Sequence, residues 1–248
     1  MAAITLEHVS KRYPNGVLAV DDLSLTINDG ELLVLVGPSG CGKTTALRMV
    51  AGILRPDRGR VVFEDHDVTA LPAHARVRLG LGFTHQIVRP FYGFSTIENV
   101  MLAAGHDRTA SPWRAITSRS RMAARNKAQA VLDRFGLGAQ AEQSPRVLPL
   151  GQRKRLEVAR ALALDPKLLL LDEPLAGLSS AEATTMADLI RTLPGQGITV
   201  VLVEHNLGEV LRVADRLVVL DAGKVLAEGA PQDVMARDDV RQAYTGVV

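Results

Sequence analysis

The chain has 248 residues, of which 47% are hydrophobic, and a formal net charge of +2. That length fits one large domain or two small ones with an ample core, and so small a charge gives no electrostatic reason to expect nucleic acid as a partner. The single cysteine, Cys41, excludes an internal disulfide and favours a reducing cytosol, and no window approaches the length of a membrane span, so any membrane role is expected to require a partner.

Two strands are predicted near the start of the chain. Residues 3–9 and 18–27 alternate or run apolar, and Pro14, Asn15 and Gly16 predict the turn between them. Tyr13 lies just before that turn. From its position alone, a packing role near the strand end is more common than a binding role.

A phosphate-binding loop is predicted next. The apolar run 32–36 is typical of a buried parallel strand, and residues 44–50 favour a helix. The loop that joins this strand to the helix, together with the start of the helix, matches G-x-x-x-x-G-K-[ST]. It comprises Gly37, Pro38, Ser39, Gly40, Cys41, Gly42, Lys43, Thr44 and Thr45. In this order, backbone N–H groups and the helix N-terminus can bind phosphates, Lys43 supplies a charge and Thr44 can bind Mg²⁺. The alternative is a glycine-rich turn that only reverses the chain.

The middle of the chain changes from strands to helices. Further strands are predicted from residue 60 to 64 and from 81 to 84, the second leading to His85 and Gln86, whereas residues 88–164 are the least strand-like part. One helical stripe, which Gly136 can end, comprises Ala124, Ala128, Val131, Leu132 and Phe135. The basic segment 113–127, with Trp113, fits a solvated helix face, or else contacts with anionic lipid headgroups or nucleic acid.

Two acidic residues follow a second buried strand. Residues 168–171 are all leucine and lead into Asp172 and Glu173. Because the carboxyl ends of strands face the ligand crevice of an open α/β sheet, we expect Asp172 to bind Mg²⁺ and Glu173 to orient or deprotonate an attacking water. A helix cap would explain Asp172 alone, but not two acidic residues followed by Pro174.

The last third of the chain completes the strand pattern. A strand over 198–203 leads to Glu204 and His205, and residues 216–220 and 224–227 flank an Ala222-Gly223 turn that predicts a hairpin. The remaining histidines have no metal-ligand spacing, so no zinc site is proposed.

Taken together, the motifs at 37–45, 148–152 (LPLGQ) and 168–174 resemble those of the ATP-binding subunits of ATP-binding cassette (ABC) transporters. The resemblance covers essentially the whole chain. It implies a single ABC ATPase domain over 1–248 with an α/β fold. Residues 1–87 and 165–248 are expected to form a P-loop NTPase (RecA-like) core with an N-terminal antiparallel β subdomain. Residues 88–164 are expected to form a helical subdomain.

The resemblance also implies roles for individual residues. Tyr13 is expected to stack on the adenine of ATP. Gln86 is expected to reach both Mg²⁺ and the attacking water, and it begins the loop that touches the membrane partner. His205 is expected to contact the γ-phosphate. The implied catalytic residues are therefore Lys43, Gln86, Glu173 and His205, and the implied Mg²⁺ ligands are Thr44, Gln86 and Asp172.

The segment 148–152 departs from the family motif LSGGQ, because Pro149 and Leu150 replace the serine and the first glycine. In ABC dimers this segment begins a helix, here predicted over 151–163, and presents donors to the γ-phosphate bound by the opposite subunit. Without the hydroxyl, the N–H groups of Leu150, Gly151 and Gln152 and the helix dipole are expected to do this. Ser179 stands where the following loop usually has an aspartate, which leaves the role of that position open.

The departure at Pro149, together with the segments 75–86 and 228–246, resembles the branched-chain or hydrophobic amino-acid importers. This implies that the chain lies at the cytoplasmic face of the inner or plasma membrane. There it would hydrolyse ATP to drive import. The implied partners are transmembrane permease subunits, a second ATPase subunit (the same chain or a paralogue) and, indirectly, a periplasmic substrate-binding protein, but no nucleic acid. The alternatives are a soluble ABC ATPase, such as one for cluster assembly, and the energy subunit of an ABC exporter. A non-hydrolysing regulator is disfavoured because the hydrolytic residues are present.

Overall fold

A computed structural model describes residues 2–86, 88–105, 118–205 and 207–245 of the chain. The strands are β1 (Ala2–Arg12), β2 (Leu18–Asn28), β3 (Leu32–Val36), β4 (Arg58–Phe63), β5 (His66–Asp67), β6 (Leu81–Thr84), β7 (Leu168–Asp172), β8 (Thr199–Val203), β9 (Arg216–Asp221) and β10 (Lys224–Gly229). The helices are α1 (Lys43–Val50), α2 (Ala73–Arg78), α3 (Thr96–Ala104), α4 (Ser118–Arg134), α5 (Leu150–Leu162), α6 (Ser180–Arg191), α7 (Leu207–Val213), α8 (Pro231–Ala236) and α9 (Asp238–Thr245).

The strands form two sheets. One is antiparallel, with the order β2-β1-β4-β5. The other has the order β10-β9-β3-β8-β7-β6, in which every neighbouring pair is parallel except the β9-β10 hairpin at one edge. An α/β core and an antiparallel β part, as predicted from the sequence, are therefore both present.

The strands β3, β7 and β8 are buried along their whole lengths, because both faces of the parallel sheet are covered. Their side chains alternate between two cores. In β3, Leu33 and Leu35 pack with the antiparallel sheet and α1. Leu32, Val34 and Val36 pack on the other side, with residues of α4, α5 and α6.

The parallel register aligns the carboxyl ends of neighbouring strands. Leu35 lies opposite Val203, Val203 opposite Asp172, and Thr84 opposite Leu171. The loops that begin at residues 37, 85, 173 and 204 therefore leave the same edge of the sheet. This is the edge at which open α/β sheets bind ligands.

The described residues from 88 to 167 contain helices and short turns but no strand. The helical stripe predicted for this region is confirmed, because its members are fully or partly buried in α4 and the turn that follows, where Gly136 has a φ of +64°. The boundaries of a helical subdomain remain a prediction. Trp113 and the other residues from 106 to 117 lie outside the described part of the chain, so the basic segment 113–127 is only partly described.

None of the helices in the described residues combines the length and the apolar character that a membrane span needs.

Small differences from the sequence prediction concern the ends of elements. The strand predicted from residue 60 begins at Arg58 and ends at Phe63, and the helix predicted over 151–163 begins at Leu150. The residue at which an element begins or ends depends on single hydrogen bonds, which the local sequence specifies only weakly.

Arg76 is a buried charge that the sequence did not single out. Its side chain lies inside the protein, 1% exposed, and its guanidinium donates hydrogen bonds to the main-chain oxygens of Met49 and Val50 at 2.7 Å. It also donates to the oxygen of Leu71 at 3.0 Å. Burial lowers the pKa of Arg76 to about 10. The residue thus joins the C-terminal end of α1, where the helix dipole favours a cation, to the α2 region.

We expect Arg76→Met to lower the free energy of unfolding by about 2 to 5 kcal/mol, because several buried carbonyls lose their charged donor. Urea unfolding of the purified chain measures this. The matched control is Arg78→Met on the same helix, where the arginine is exposed. An equal, small effect of both substitutions would contradict a structural role for Arg76.

Candidate functional site

A cleft of about 530 Å³ opens at the carboxyl edge of the parallel sheet. It brings together residues from four separate parts of the sequence. The predicted site residues in its lining are Tyr13, Ser39, Gly40, Gly42, Lys43, Thr44, Thr45, Glu173 and His205. Tyr13 also contacts the loop directly, since its hydroxyl lies 3.2 Å from Thr45 Oγ1.

The loop between β3 and α1 needs glycine at two positions. Gly37 and Gly42 have φ values of +145° and +106°. A Cβ atom at Gly37 would lie 2.1 Å from the main-chain oxygen of Leu220, and one at Gly42 would lie 2.3 Å from that of Ala19. Both the backbone conformation and the available space therefore exclude a larger residue, which explains the glycine spacing that the sequence shows.

Lys43 is folded back over this loop. Its buried side chain donates from Nζ to the main-chain oxygens of Gly37 at 2.7 Å and Pro38 at 3.0 Å, and Nζ lies 3.6 Å from Cys41 Sγ. These contacts hold the ammonium group at the cleft wall, where it can meet phosphate oxygens. Gly37, Pro38 and Cys41 form the back of the loop and do not line the cleft.

Asp172 and Thr44 form a hydrogen-bonded pair of oxygen groups next to the cleft, which Thr44 lines. Asp172 is 2% exposed, and its Oδ1 accepts a hydrogen bond from Thr44 Oγ1 at 3.3 Å. Burial raises the pKa of Asp172, and the hydrogen bond from Thr44 acts in the opposite direction. A carboxylate and a hydroxyl fit Mg²⁺, which is usually held by one or two carboxylates together with substrate phosphates.

Three of the predicted catalytic side chains meet at Glu173. Gln86 Nε2 donates a hydrogen bond to Glu173 Oε2 at 2.7 Å, and His205 Nδ1 lies 3.8 Å from the same oxygen. The three residues follow three different strands, β6, β7 and β8. Their meeting is a direct consequence of the aligned strand ends.

The main chain of Glu173 and of Leu175, two residues later, has side-chain partners that the sequence analysis missed. The φ of Glu173, +51°, lies in the left-handed region, which is uncommon for a residue other than glycine. The buried Lys154 donates from Nζ to the Glu173 main-chain oxygen at 2.8 Å, and Glu204 Oε1 accepts from the Leu175 N–H at 2.7 Å. One signal was available for Lys154, because it shares a helical stripe with the buried Gly151 and Val158.

The segment 148–152 lies apart from this cleft. Pro149 precedes α5 as its N-cap and makes no side-chain capping bond. Leu150, Gly151 and Gln152 form the first turn of α5, whose N–H groups have no acceptor within the helix, and none of the three lines the cleft. The cleft of one chain therefore lacks this set of predicted phosphate donors.

Ser179 has a local structural role. It is the N-cap of α6, and its Oγ accepts from the Glu182 N–H while Glu182 Oε2 accepts from the Ser179 N–H. This reciprocal pair is a capping box. The sequence left the role of this position open, and the structure shows a helix cap.

A glycine loop before a helix, with Asp172 and Glu173 at the adjacent strand end, defines a nucleotide-binding α/β protein. Residues 20–176 match the protein family described as ABC transporter. The chain belongs to this family.

Similar proteins span nearly the same length. The chain is 34% identical to the lipopolysaccharide export system ATP-binding protein LptB of Haemophilus influenzae, over 99% of this chain and 98% of the relative. The protein of the same name from Acidithiobacillus ferridurans is 38% identical, over 95% and 93%.

Solved structures agree with the fold. The ADP conformation of MJ1267, an ATP-binding cassette of an ABC transporter, superposes with a TM-score of 0.86 at 28% identity, and each chain is covered completely, 100% in both cases. The dimeric post-hydrolysis structure of the ATP-binding cassette MJ0796, bound to ADP and phosphate, has a TM-score of 0.81 at 28% identity, over 92% of this chain and 98% of the other.

These similarities confirm the predicted fold class and the predicted ATPase activity. The chain is an ATP-binding ABC transporter ATPase, in which hydrolysis of ATP to ADP and phosphate is coupled to transport. ABC ATPases pair with permease subunits and dimerise. The relatives named above belong to an export system, whereas the sequence analysis favoured amino-acid import and had export as an alternative.

Proposed function

We propose that this chain binds ATP with Mg²⁺ in the cleft, hydrolyses it with Glu173 as the key side chain, and thereby powers an ABC exporter. The observation that carries the hydrolytic part is the meeting of Gln86 and His205 at Glu173, on the wall of the cleft that Lys43 lines. The export part is supported by the identity to the two LptB proteins along nearly the whole chain.

ATP would enter with its base near Tyr13 and its phosphates over the glycine loop. Tyr13 lines the cleft beside Asn15 and Val17, where its ring can stack on adenine. The backbone N–H groups of the loop and the N-terminus of α1 would bind the β- and γ-phosphates. Lys43 would exchange its main-chain acceptors for phosphate oxygens.

Mg²⁺ would be held by Thr44 and Asp172, with Gln86 able to contribute its side-chain oxygen. The ion would neutralise charge on the phosphate oxygens. Since Gln86 Nε2 already donates to Glu173, this one side chain can link the metal site to the carboxylate.

Glu173 would accept a proton from the attacking water as the water oxygen bonds to the γ-phosphorus and the bond to the ADP oxygen breaks. Gln86 fixes Oε2 of this carboxylate. His205, 57% exposed at its side chain and close to Glu173, would donate to a γ-phosphate oxygen.

A second copy would complete the site. The first turn of α5, with Leu150, Gly151 and Gln152, lies outside the chain's own cleft. In a twofold dimer each such turn can meet the γ-phosphate held by the other chain. ATP would then favour the closed dimer because only that dimer adds these donors, and hydrolysis would remove the advantage.

A membrane permease would be moved by this cycle, with the ATPase bound at the cytoplasmic face. The segment after Gln86 presents three exposed aromatic side chains, Phe91, Tyr92 and Phe94. Arg160 stacks over Phe91 and Arg146 over Tyr92, which holds two of these rings in place. A lipopolysaccharide-like amphipathic lipid is the cargo that the relatives' names suggest.

Import of branched-chain or other hydrophobic amino acids is the second candidate. The observation that favours it is the start of α5, where Pro149 and Leu150 replace the usual serine and glycine. This candidate adds a periplasmic substrate-binding protein as an indirect partner. Both candidates share the same ATPase chemistry, so they differ only in the permease and the cargo.

We expect Glu173→Gln to slow ATP hydrolysis by at least about 100-fold, because the amide cannot accept the proton from water. Nucleotide binding should persist, since the loop and Lys43 are unchanged. Steady-state phosphate release and the binding of a fluorescent ATP analogue measure the two properties. Hydrolysis at the original rate would remove Glu173 from this role.

We expect Pro149→Ser to strengthen ATP-dependent dimerisation by about tenfold or more, because it adds a hydroxyl donor for a charged phosphate oxygen. Sedimentation velocity with ATP, in the Glu173→Gln background, measures the dimer. Val147→Ser is the matched control, because Val147 is an exposed residue just outside the helix. Unchanged dimerisation would show that the missing hydroxyl has no effect.

Purification of the tagged chain from its native membranes tests the transport partner. We expect a multi-span permease to co-purify, and the complex in vesicles to hydrolyse ATP faster when lipopolysaccharide is present. A Lys43→Ala complex controls for contaminating ATPases. Stimulation by leucine with a periplasmic binding protein, and not by lipopolysaccharide, would contradict export and support the second candidate.

A further inference from the structure

Glu173 holds its carboxylate in place on an unusual backbone. Its φ of +51° is left-handed, and Pro174 follows directly. Proline has no N–H group, and the Glu173 N–H already donates to the Val203 oxygen at 3.0 Å. Side chains can therefore bind this turn at the Leu175 N–H and at the Glu173 oxygen, which also accepts from the Ala176 N–H at 3.3 Å. A left-handed conformation in a residue with a side chain persists only where its surroundings fix it.

Lys154 binds the first of these groups. It is 6% exposed, and its Nζ donates to the Glu173 main-chain oxygen at 2.8 Å. Burial lowers the pKa of Lys154, and the charges of Glu204 and Glu173 act in the opposite direction. A buried lysine that uses its ammonium group on a single main-chain oxygen beside a catalytic carboxylate has an unusual placement for a purely structural residue.

Glu204 binds the second group. It is fully buried, and its Oε1 accepts from the Leu175 N–H at 2.7 Å. Its Oε2 has no hydrogen-bond partner within the described part of the chain. Burial raises the pKa of Glu204 to about 7, and the hydrogen bond from Leu175 and the charge of Lys154 act in the opposite direction.

Neither side chain lines the nucleotide cleft. Lys154 extends from α5 and Glu204 follows β8, so the two reach the 173–175 turn from different elements. Each binds main-chain atoms of that turn, whereas Gln86 binds the Glu173 carboxylate itself. The contacts of Lys154 and Glu204 are therefore with the main chain beside Glu173.

We propose that Lys154 and Glu204 are positioning residues for ATP hydrolysis, which hold the 173–175 backbone so that the Glu173 carboxylate faces the attacking water. The proposal rests on the proposed role of Glu173. It has a consequence for the dimer, because Lys154 lies on the helix whose first turn would meet the opposite nucleotide. Movement of α5 toward that nucleotide acts directly on the main-chain oxygen of Glu173 in the same chain.

The first test is Lys154→Met in the full chain, which keeps the length of the side chain and removes its donor. We expect kcat to fall by at least about tenfold, since a 1 Å displacement of a catalytic group can cost about 100-fold. KM for ATP should stay within about twofold, because Lys154 does not line the nucleotide cleft. Lys167→Met is the control, because Lys167 is an exposed lysine outside the site, and it should change neither constant.

A double substitution shows whether Lys154 acts through Glu173. In the Glu173→Gln background, Lys154→Met should cause no further loss of kcat, because the group that it positions is already disabled. A further loss as large as in the original chain would overturn the proposal. If Glu173→Gln alone hydrolyses ATP normally, the proposed role of Glu173 fails first, and that result is distinct from normal hydrolysis by Lys154→Met alone.

A second double substitution separates positioning from charge balance. Lys154→Met with Glu204→Gln removes both buried charges but does not restore the donor to the Glu173 oxygen. We expect its kcat to stay as low as that of Lys154→Met. Recovery of kcat would show that the lysine only neutralises Glu204 and would overturn the proposal. Should Lys154→Met fail to fold, Glu204→Leu tests the contact between Glu204 and the Leu175 N–H. We again expect kcat to fall by at least about tenfold and KM to stay within about twofold.

Discussion

The parallel pairing of β3, β8, β7 and β6 is the constraint on which the site depends. Its register aligns the strand ends, so that the glycine loop, Gln86, Glu173 and His205 leave one edge of the sheet together. Residues more than 100 positions apart in sequence thereby share one cleft. A shift of one residue in any of these buried strands would exchange its two faces and separate the carboxylate from its partners.

Two kinds of contact then hold Glu173, the carboxylate proposed for hydrolysis. Gln86 and His205 approach its side chain, and the buried Lys154 and Glu204 hold the main chain on either side of Pro174. Asp172, one residue earlier, is buried and accepts a hydrogen bond from Thr44, which lines the cleft. Burial gives Asp172, Lys154 and Glu204 fixed positions in an environment where water competes little, which favours electrostatic control of phosphoryl transfer.

Much of this arrangement was readable from the sequence because it rests on local patterns. The apolar runs that became β3, β7 and β8 are continuous, and the glycine spacing reflects two backbone positions that no other residue can occupy. Arg76 and Glu204 were not readable in this way, because a charged residue is buried only where distant main-chain atoms receive it. For Lys154 the sequence offered only its place on a helical stripe with Gly151 and Val158. Cargo is likewise not encoded in the chemistry of the cleft, so the importer branch inferred from Pro149 and the export system named by the relatives remain separate hypotheses.

The cleft of one chain holds only some of the donors proposed for the γ-phosphate, since the first turn of α5 lies outside it. The most direct test is the rate of ATP hydrolysis per chain, measured over a dilution series in which sedimentation reports the fraction of dimer at each concentration. We expect the rate per chain to fall in proportion to the dimer fraction. A constant rate per chain down to concentrations at which only monomer remains would contradict a site shared between two copies.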